Sequence, residues 1–274
     1  MSFAKVSSMA KLALLVIKST HPCERDLLSK LLQTTNLKSC PLQELEDVGL
    51  LQDIGGKLHL APHAPDDDVL LESLKRERLT TTFPAGSLAL AIHAFATGED
   101  ELFLETILQC IQRLDAENHP LHIFYVYNAF AYCFQRMNIP INNKEFCLNV
   151  IRIGTQIQEV IHLYPFSSKN ELQAGLKLRD MAQKIGDQRT LCYLDLQIGA
   201  MNINLRYINL HDDYFEKMKA AKDAVIYFDD ADLILRCSPL VMLFYFLNGE
   251  YDDAINFFYR TLQISYTSKS KYYK

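Results

Sequence analysis

Phe246-Leu247-Asn248-Gly249-Glu250-Tyr251-Asp252-Asp253-Ala254-Ile255-Asn256-Phe257-Phe258 is the stretch whose reading decides the fold. It reads as the turn and second helix of a helix–turn–helix repeat. Gly249 supplies the backbone freedom that ends one helix. Tyr251 is expected to plug the space between the helices, and Ala254 is small enough to let them approach closely. Phe258 and Leu262 follow at helical spacing on the same face. Much of the chain then reads as stacked helix pairs, with function on their surfaces rather than in a catalytic cleft.

Upstream of that stretch the same alternation of helix and short break continues. The spacing predicts helices near 84–97, 99–115, 119–136, 142–163, 168–185, 188–208, 212–228, 231–247 and 251–266. The punctuation between them includes Thr97-Gly98-Glu99-Asp100, Asn118-His119-Pro120, Asn138-Ile139-Pro140, Gly186-Asp187 and Asn248-Gly249-Glu250. No strand-like alternation bounded by turns occurs there, so this part is expected to be all-α.

The first 64 residues differ. Met9, Leu12, Ala13, Val16 and Ile17 place one apolar face on a helix over about 6–18. A second helix is expected over about 22–34, opened by His21-Pro22 and carrying Leu27, Leu28, Leu31 and Leu32. A third runs from Pro41 to Val48 and stops at Gly49. Two short strands follow around Gly55-Gly56. Three helices and a hairpin, in that order, make a winged helix. Pro65-Asp66-Asp67-Asp68 then opens a connecting helix to about Arg78, its aspartates suited to the positive end of the helix dipole.

Charge and composition narrow the partners. A winged helix can place its third helix in a DNA groove, but Pro41–Val48 carries three carboxylates and no basic residue. Residues 1–64 hold seven basic and six acidic side chains, against 21 and 27 in the remainder, so neither part has the basic excess that phosphate binding needs. Nucleic acid is therefore not the expected partner. A winged-helix DNA-binding transcription factor with a helical effector or oligomerisation domain stays as the alternative reading. Seven scattered cysteines without a C-x-x-C suit buried thiols in a reducing cytosol. The run Leu12–Ile17 is far shorter than the ~20 residues of a membrane span, and no signal peptide is evident, so the expected location is cytoplasmic, with no membrane partner.

The repeat of about 34 residues resembles the tetratricopeptide repeat. In that alignment Gly249, Tyr251, Ala254, Phe258 and Leu262 form the second-helix signature and Tyr245 the first-helix aromatic, while Thr261 and Ser238 depart from the pattern. The preceding unit aligns His211 with Gly249, Tyr207 with Tyr245 and Ala220 with Phe258, with Glu216 where a small residue is usual. The likeness covers about 84–266 and is most specific at its end. It implies a concave face carrying Arg236, Leu243, Phe246 and Leu247, with Met201, Leu205 and Ile208 in the unit before. Such a face would take an apolar helix or peptide, or a further repeat, or be buried between distorted repeats.

Leu42-x-x-Leu45 before Gly49-Leu50-Leu51, with the hairpin and the helix after it, resembles the winged helix of MalT-like, LuxR-associated signal-transduction ATPases. In that class a helical-repeat sensor follows directly. The resemblance implies a contact between a histidine after the wing and bound nucleotide, for which His63, ahead of His59, is the nearest match. The P-loop of the class is missing: Gly55-Gly56-Lys57-Leu58 lacks the glycine spacing and the hydroxyl residue. The chain should not hydrolyse ATP alone, and no cofactor is expected.

Other chemistry is thin. His119 and His122 supply at most half of a tetrahedral metal site. Cys133, Cys147 and His162 carry no nucleophile signature. The chain is thus expected to be mostly α: a winged-helix-like domain at 1–64, a connecting helix and linker at 65–83, an all-α superhelical array of tetratricopeptide-like pairs at 84–267 and a polar tail at 268–274. The expected role is a non-enzymatic interaction or sensor module of a signalling or transcription-regulatory protein. It would bind a protein, a peptide or a small-molecule effector, with oligomerisation possible through the edge formed by the pair ending at Tyr266.

Overall fold

The computed structural model describes residues 6–20, 23–26, 28, 41–76, 83–162, 169–204 and 213–267. The described chain is mostly helical, with one small antiparallel sheet. Among the described residues no helix is long and apolar enough to cross a membrane. Two compact units are present: Met1–Ile139 with Arg152–Phe166, and Pro140–Ile151 with Ser167–Lys274.

In the first unit, α1 (Ser8–Thr20) packs against several later elements, α2 (Pro41–Asp47), α3 (Asp67–Arg76), α4 (Leu88–Thr97), α6 (Pro120–Arg136) and strand β3 (Lys57–Leu60). Its sequence suggested one apolar face. In the fold Met9 through Val16 are all buried, including Leu14, Leu15 and the stem of Lys11, because neighbours surround the helix. A helix over about 22–34 needs correcting at its start. Cys23–Glu24 form a short strand, β1, pairing antiparallel with Leu58 and Lys57 of β3. Helical backbone begins at Arg25, and most of the remaining span, with Leu27, Leu31 and Leu32, lies outside the described residues.

Strand β2 (Leu51–Ile54) pairs antiparallel with β3 on its other edge, giving the order β1-β3-β2. Gly55 and Gly56 both take positive φ, 63° and 82°, which the tight turn between β2 and β3 requires. The Asp53 carboxylate accepts the Gly56 N–H at 2.9 Å. In α2, Pro41, Leu42 and Leu45 turn inward.

Helix α5 (Asp100–Ala116) follows α4 after Gly98, and α4 starts at an N-cap where Ser87 Oγ accepts the Leu90 N–H. Their core is aromatic: Phe103 lies between Phe95 and Phe130, and Phe130 stacks on Phe134 at 5.1 Å. Helix α7 (Lys144–His162) contributes its second half to this unit, where Gln158 Nε2 donates to the buried Tyr127 hydroxyl at 2.9 Å.

The second unit is built around α9 (Gln188–Asn204), which packs against α8 (Lys169–Ile185), α10 (Asp213–Phe228) and α11 (Ala231–Leu247). Leu191 through Leu194, Leu196 through Ile198 and Ala200 through Asn202 are buried, so α9 is covered nearly all round. Helix α11 continues through Pro239, which has no N–H for the Leu235 carbonyl. Ser238 Oγ donates to that carbonyl instead, at 2.9 Å. Helix α12 (Tyr251–Thr267) packs against α11.

Candidate functional site: an apolar face on α11 and α12

Gly249 ends α11 with φ 75°, and α12 starts two residues later. The side of α12 that meets α11 carries Phe257 and Thr261, both buried, with Ala254 half-buried beside them. The Phe257 ring lies 6.1 Å from that of Tyr245.

This packing corrects the expectation for the opening stretch. Tyr251 does not plug the space between helices: it is 57% exposed, and Phe258 and Leu262 are 46% and 37% exposed. The reason lies in two interleaved stripes. Ala254, Phe257, Thr261 and Ile264 are spaced as regularly as Tyr251, Ile255, Phe258 and Leu262, and the first set faces α11.

The second set is left in solvent, and Tyr259 and Tyr266 extend it, at 64% and 82% exposure. At 100° per residue these six side chains occupy about 100° of the helix surface, the width of a buried face on an ordinary amphipathic helix. Phe246 of α11, 61% exposed, meets Tyr251 edge-to-face with ring centroids 5.6 Å apart and joins the patch. The polar residues Asp252, Asn256 and Gln263 lie on the adjoining side of the helix. Arg260 ties α12 to the turn before α11 through the Asp229 carboxylate at 2.5 Å.

The expected groove residues divide. Phe246 is on the exposed surface, while Leu243 and Leu247 are half-buried on α11. Arg236 is engaged rather than open, its guanidinium 4.1 Å from the Tyr193 ring centre. Met201 is buried on α9, the helix packed by α8, α10 and α11, so it presents no groove surface. Leu205 and Ile208 lie outside the described residues, as do His211 and Tyr207 of the aligned repeat. His63 is exposed after the hairpin.

The charged groups of the first unit are drawn into structural pairs. Arg25 reaches both Glu46 and Asp53, and hydrogen bonds to these carboxylates raise its pKa despite partial burial. The Glu44 carboxylate accepts the Ser7 N–H and hydroxyl at 2.6 and 2.5 Å. Asp67 at the start of α3 accepts from Lys18 at 2.9 Å and from Arg136 at 2.7 Å. Lys18 also donates to the Pro65 carbonyl at 2.6 Å, and the Arg136 guanidinium lies 3.7 Å from the Tyr132 ring centre.

Two of the groups considered for catalysis lie in the core. Cys133 and Cys147 are fully buried, and burial pushes the Cys133 thiol far above its ordinary range, away from the nucleophilic thiolate. The side chain of His162 lies outside the described residues. His119 and His122 stand with ring centres 5.0 Å apart, and His119 is 3.9 Å from Glu117. Among the described residues no three His, Cys, Asp or Glu side chains are grouped to hold a metal ion. Compared with known protein families, curated proteins and solved structures, the chain matches none.

Proposed function

We propose that the chain is a non-enzymatic interaction module of a signalling or transcription-regulatory protein, acting through the apolar surface of α11 and α12. One observation carries this reading. Phe246, Tyr251, Ile255, Phe258, Tyr259, Leu262 and Tyr266 are at least 37% exposed on adjoining helices, although large apolar side chains gain most by leaving water. A surface of this kind, rich in Tyr and Phe, has the composition of an interface centre. The helix pairs around it fit a tetratricopeptide-like array, and the sheet order β1-β3-β2 next to α1 and α2 fits an N-terminal winged helix. That pairing of parts is the basis for relating the chain to the sensor region of MalT-like ATPase regulators.

DNA reading is the weaker alternative. Glu44 and Glu46 of α2, bonded to Ser7 and Arg25, help build the fold, and the helix brings no positive charge to replace them.

The test is site-specific photo-crosslinking in the native cell. A photoreactive residue at Phe246 should yield discrete polypeptide adducts, and one at exposed Gln52, on the hairpin, should not. Absence of any adduct at Phe246 in a folded, expressed chain would defeat the proposal.

A further inference from the structure

The exposed stripe of α12 is a palindrome in its chemistry. Tyr251 and Tyr266 stand at its two ends, Ile255 and Leu262 one turn in from each, and Phe258 and Tyr259 at its centre. Turned end for end about a point between residues 258 and 259, the helix brings Tyr251 onto position 266, Ile255 onto 262 and Phe258 onto 259. All six exposed apolar residues then find an apolar residue of like size opposite. A two-fold interface requires this self-complementarity, because residue i must meet residue j while j meets i.

We infer that the partner of this face is a second copy of the chain, with the two α12 helices packed antiparallel about a two-fold axis between Phe258 and Tyr259. The inference rests on reading the α11–α12 surface as an interaction face and names its occupant. Area agrees. With ~200 Å² for a fully exposed large side chain, the six residues offer roughly 700 Å² per copy, or about 1,400 Å² for the pair, which falls within the ~1,200–2,000 Å² of a stable interface. Charge agrees as well. Asp252 and Asp253 make the first turn acidic and no basic residue balances the last turn. Antiparallel packing keeps the two acidic turns about 20 Å apart and opposes the helix dipoles, whereas parallel packing would set them side by side.

The register yields a charge-swap experiment on the full chain. Position 255 of one copy faces position 262 of the other. Ile255→Lys alone and Leu262→Glu alone should each give a monomer, since a charge is then buried against an aliphatic side chain twice in the pair. Mixing the two variants should restore a dimer, in which Lys faces Glu on one side of the axis and Leu faces Ile on the other. Sedimentation or light scattering reads the outcome, and circular dichroism checks that each variant is folded. Wild type should be dimeric at roughly 100 µM, a concentration at which an interface of this size is populated. A monomeric wild type overturns the inference, and so does a dimer that survives both single changes or a mixture that stays monomeric. Those results leave the broader reading intact if Phe246 still crosslinks to a different polypeptide, whereas loss of both defeats both.

Discussion

Gly199 of α9 and Met218 of α10 are in such close contact that a Cβ built on the glycine would lie 2.0 Å from both Cγ and Sδ of the methionine. Met218 is fully buried, so it has no free volume into which to retreat. Gly199→Ala should therefore destabilise the protein by about 1–3 kcal/mol through overpacking, although alanine is favoured by up to ~1 kcal/mol in an open helix. The double variant with Met218→Ala should lose less than the sum of the two single changes, because each relieves the other. Chemical denaturation of the four proteins measures this, and simple additivity would show that the contact is not shared.

Ser238 takes the place of the missing proline N–H in α11. Its hydroxyl is buried with the Leu235 carbonyl as acceptor, so Ser238→Ala leaves that carbonyl without its donor. The expected cost is about 1–3 kcal/mol. In a Pro239→Ala background the backbone N–H returns, and the same serine change should cost markedly less. Equal costs in the two backgrounds would mean that the serine and the proline are uncoupled.

The pair Lys18–Asp67 gives stability a pH dependence. Burial alone would raise the Asp67 pKa, but the hydrogen bond from Lys18, with the charges of Lys18 and Arg136, outweighs it and holds the group below its usual value. A depressed carboxylate stabilises the fold above its unfolded pKa of about 3.9 and loses that contribution as pH falls through the folded value. Wild type should exceed Asp67→Asn by roughly 1 kcal/mol near neutrality, a modest figure because the cluster is partly in solvent. The two curves should converge in acid below about pH 4. A gap that persists there would place the effect in packing rather than ionisation.

Phe257 and Phe258 are chemically identical neighbours with opposite expected behaviour. Phe257→Ala should cost about 3–5 kcal/mol, as for a buried aromatic, and Phe258→Ala should cost under ~1 kcal/mol in the monomer, as for surface sites. Thermal melts at low protein concentration compare them. The reverse order would put the other stripe of α12 against α11.

That pair also marks how far the sequence could be read. Helix positions from 84 onward were legible because Gly98, Gly186 and Gly249 adopt positive φ at the breaks, as does Asn118, and each carries a residue type suited to it. Which stripe of α12 is buried was not legible, because periodicity reports spacing and two phenylalanines 100° apart satisfy it equally. The length of β1 hid it, since two residues cannot alternate. Met201 was expected on a groove because a repeat pattern orients each helix, but α9 is apolar on nearly all sides and nothing local says which side meets water. Ser238 looked like a mismatch to the repeat until its hydrogen bond gave it a reason. At the site, the repeat pattern points to Phe246, whereas Tyr266 and Ile255 depend on knowing which face α11 leaves uncovered.

The shared helix α7 imposes an order of events on synthesis. The chain leaves the first unit after Ile139, lends residues 140–151 to the second and returns at Arg152. A ribosome delivers the N-terminal part first, so the first unit must wait for its last strip of helix while the opening piece of the second is already outside. Until Gln158 emerges, the Tyr127 hydroxyl lacks the amide that meets it in the finished protein. The newborn chain therefore passes through a stage at which a part of each unit exists and neither is complete.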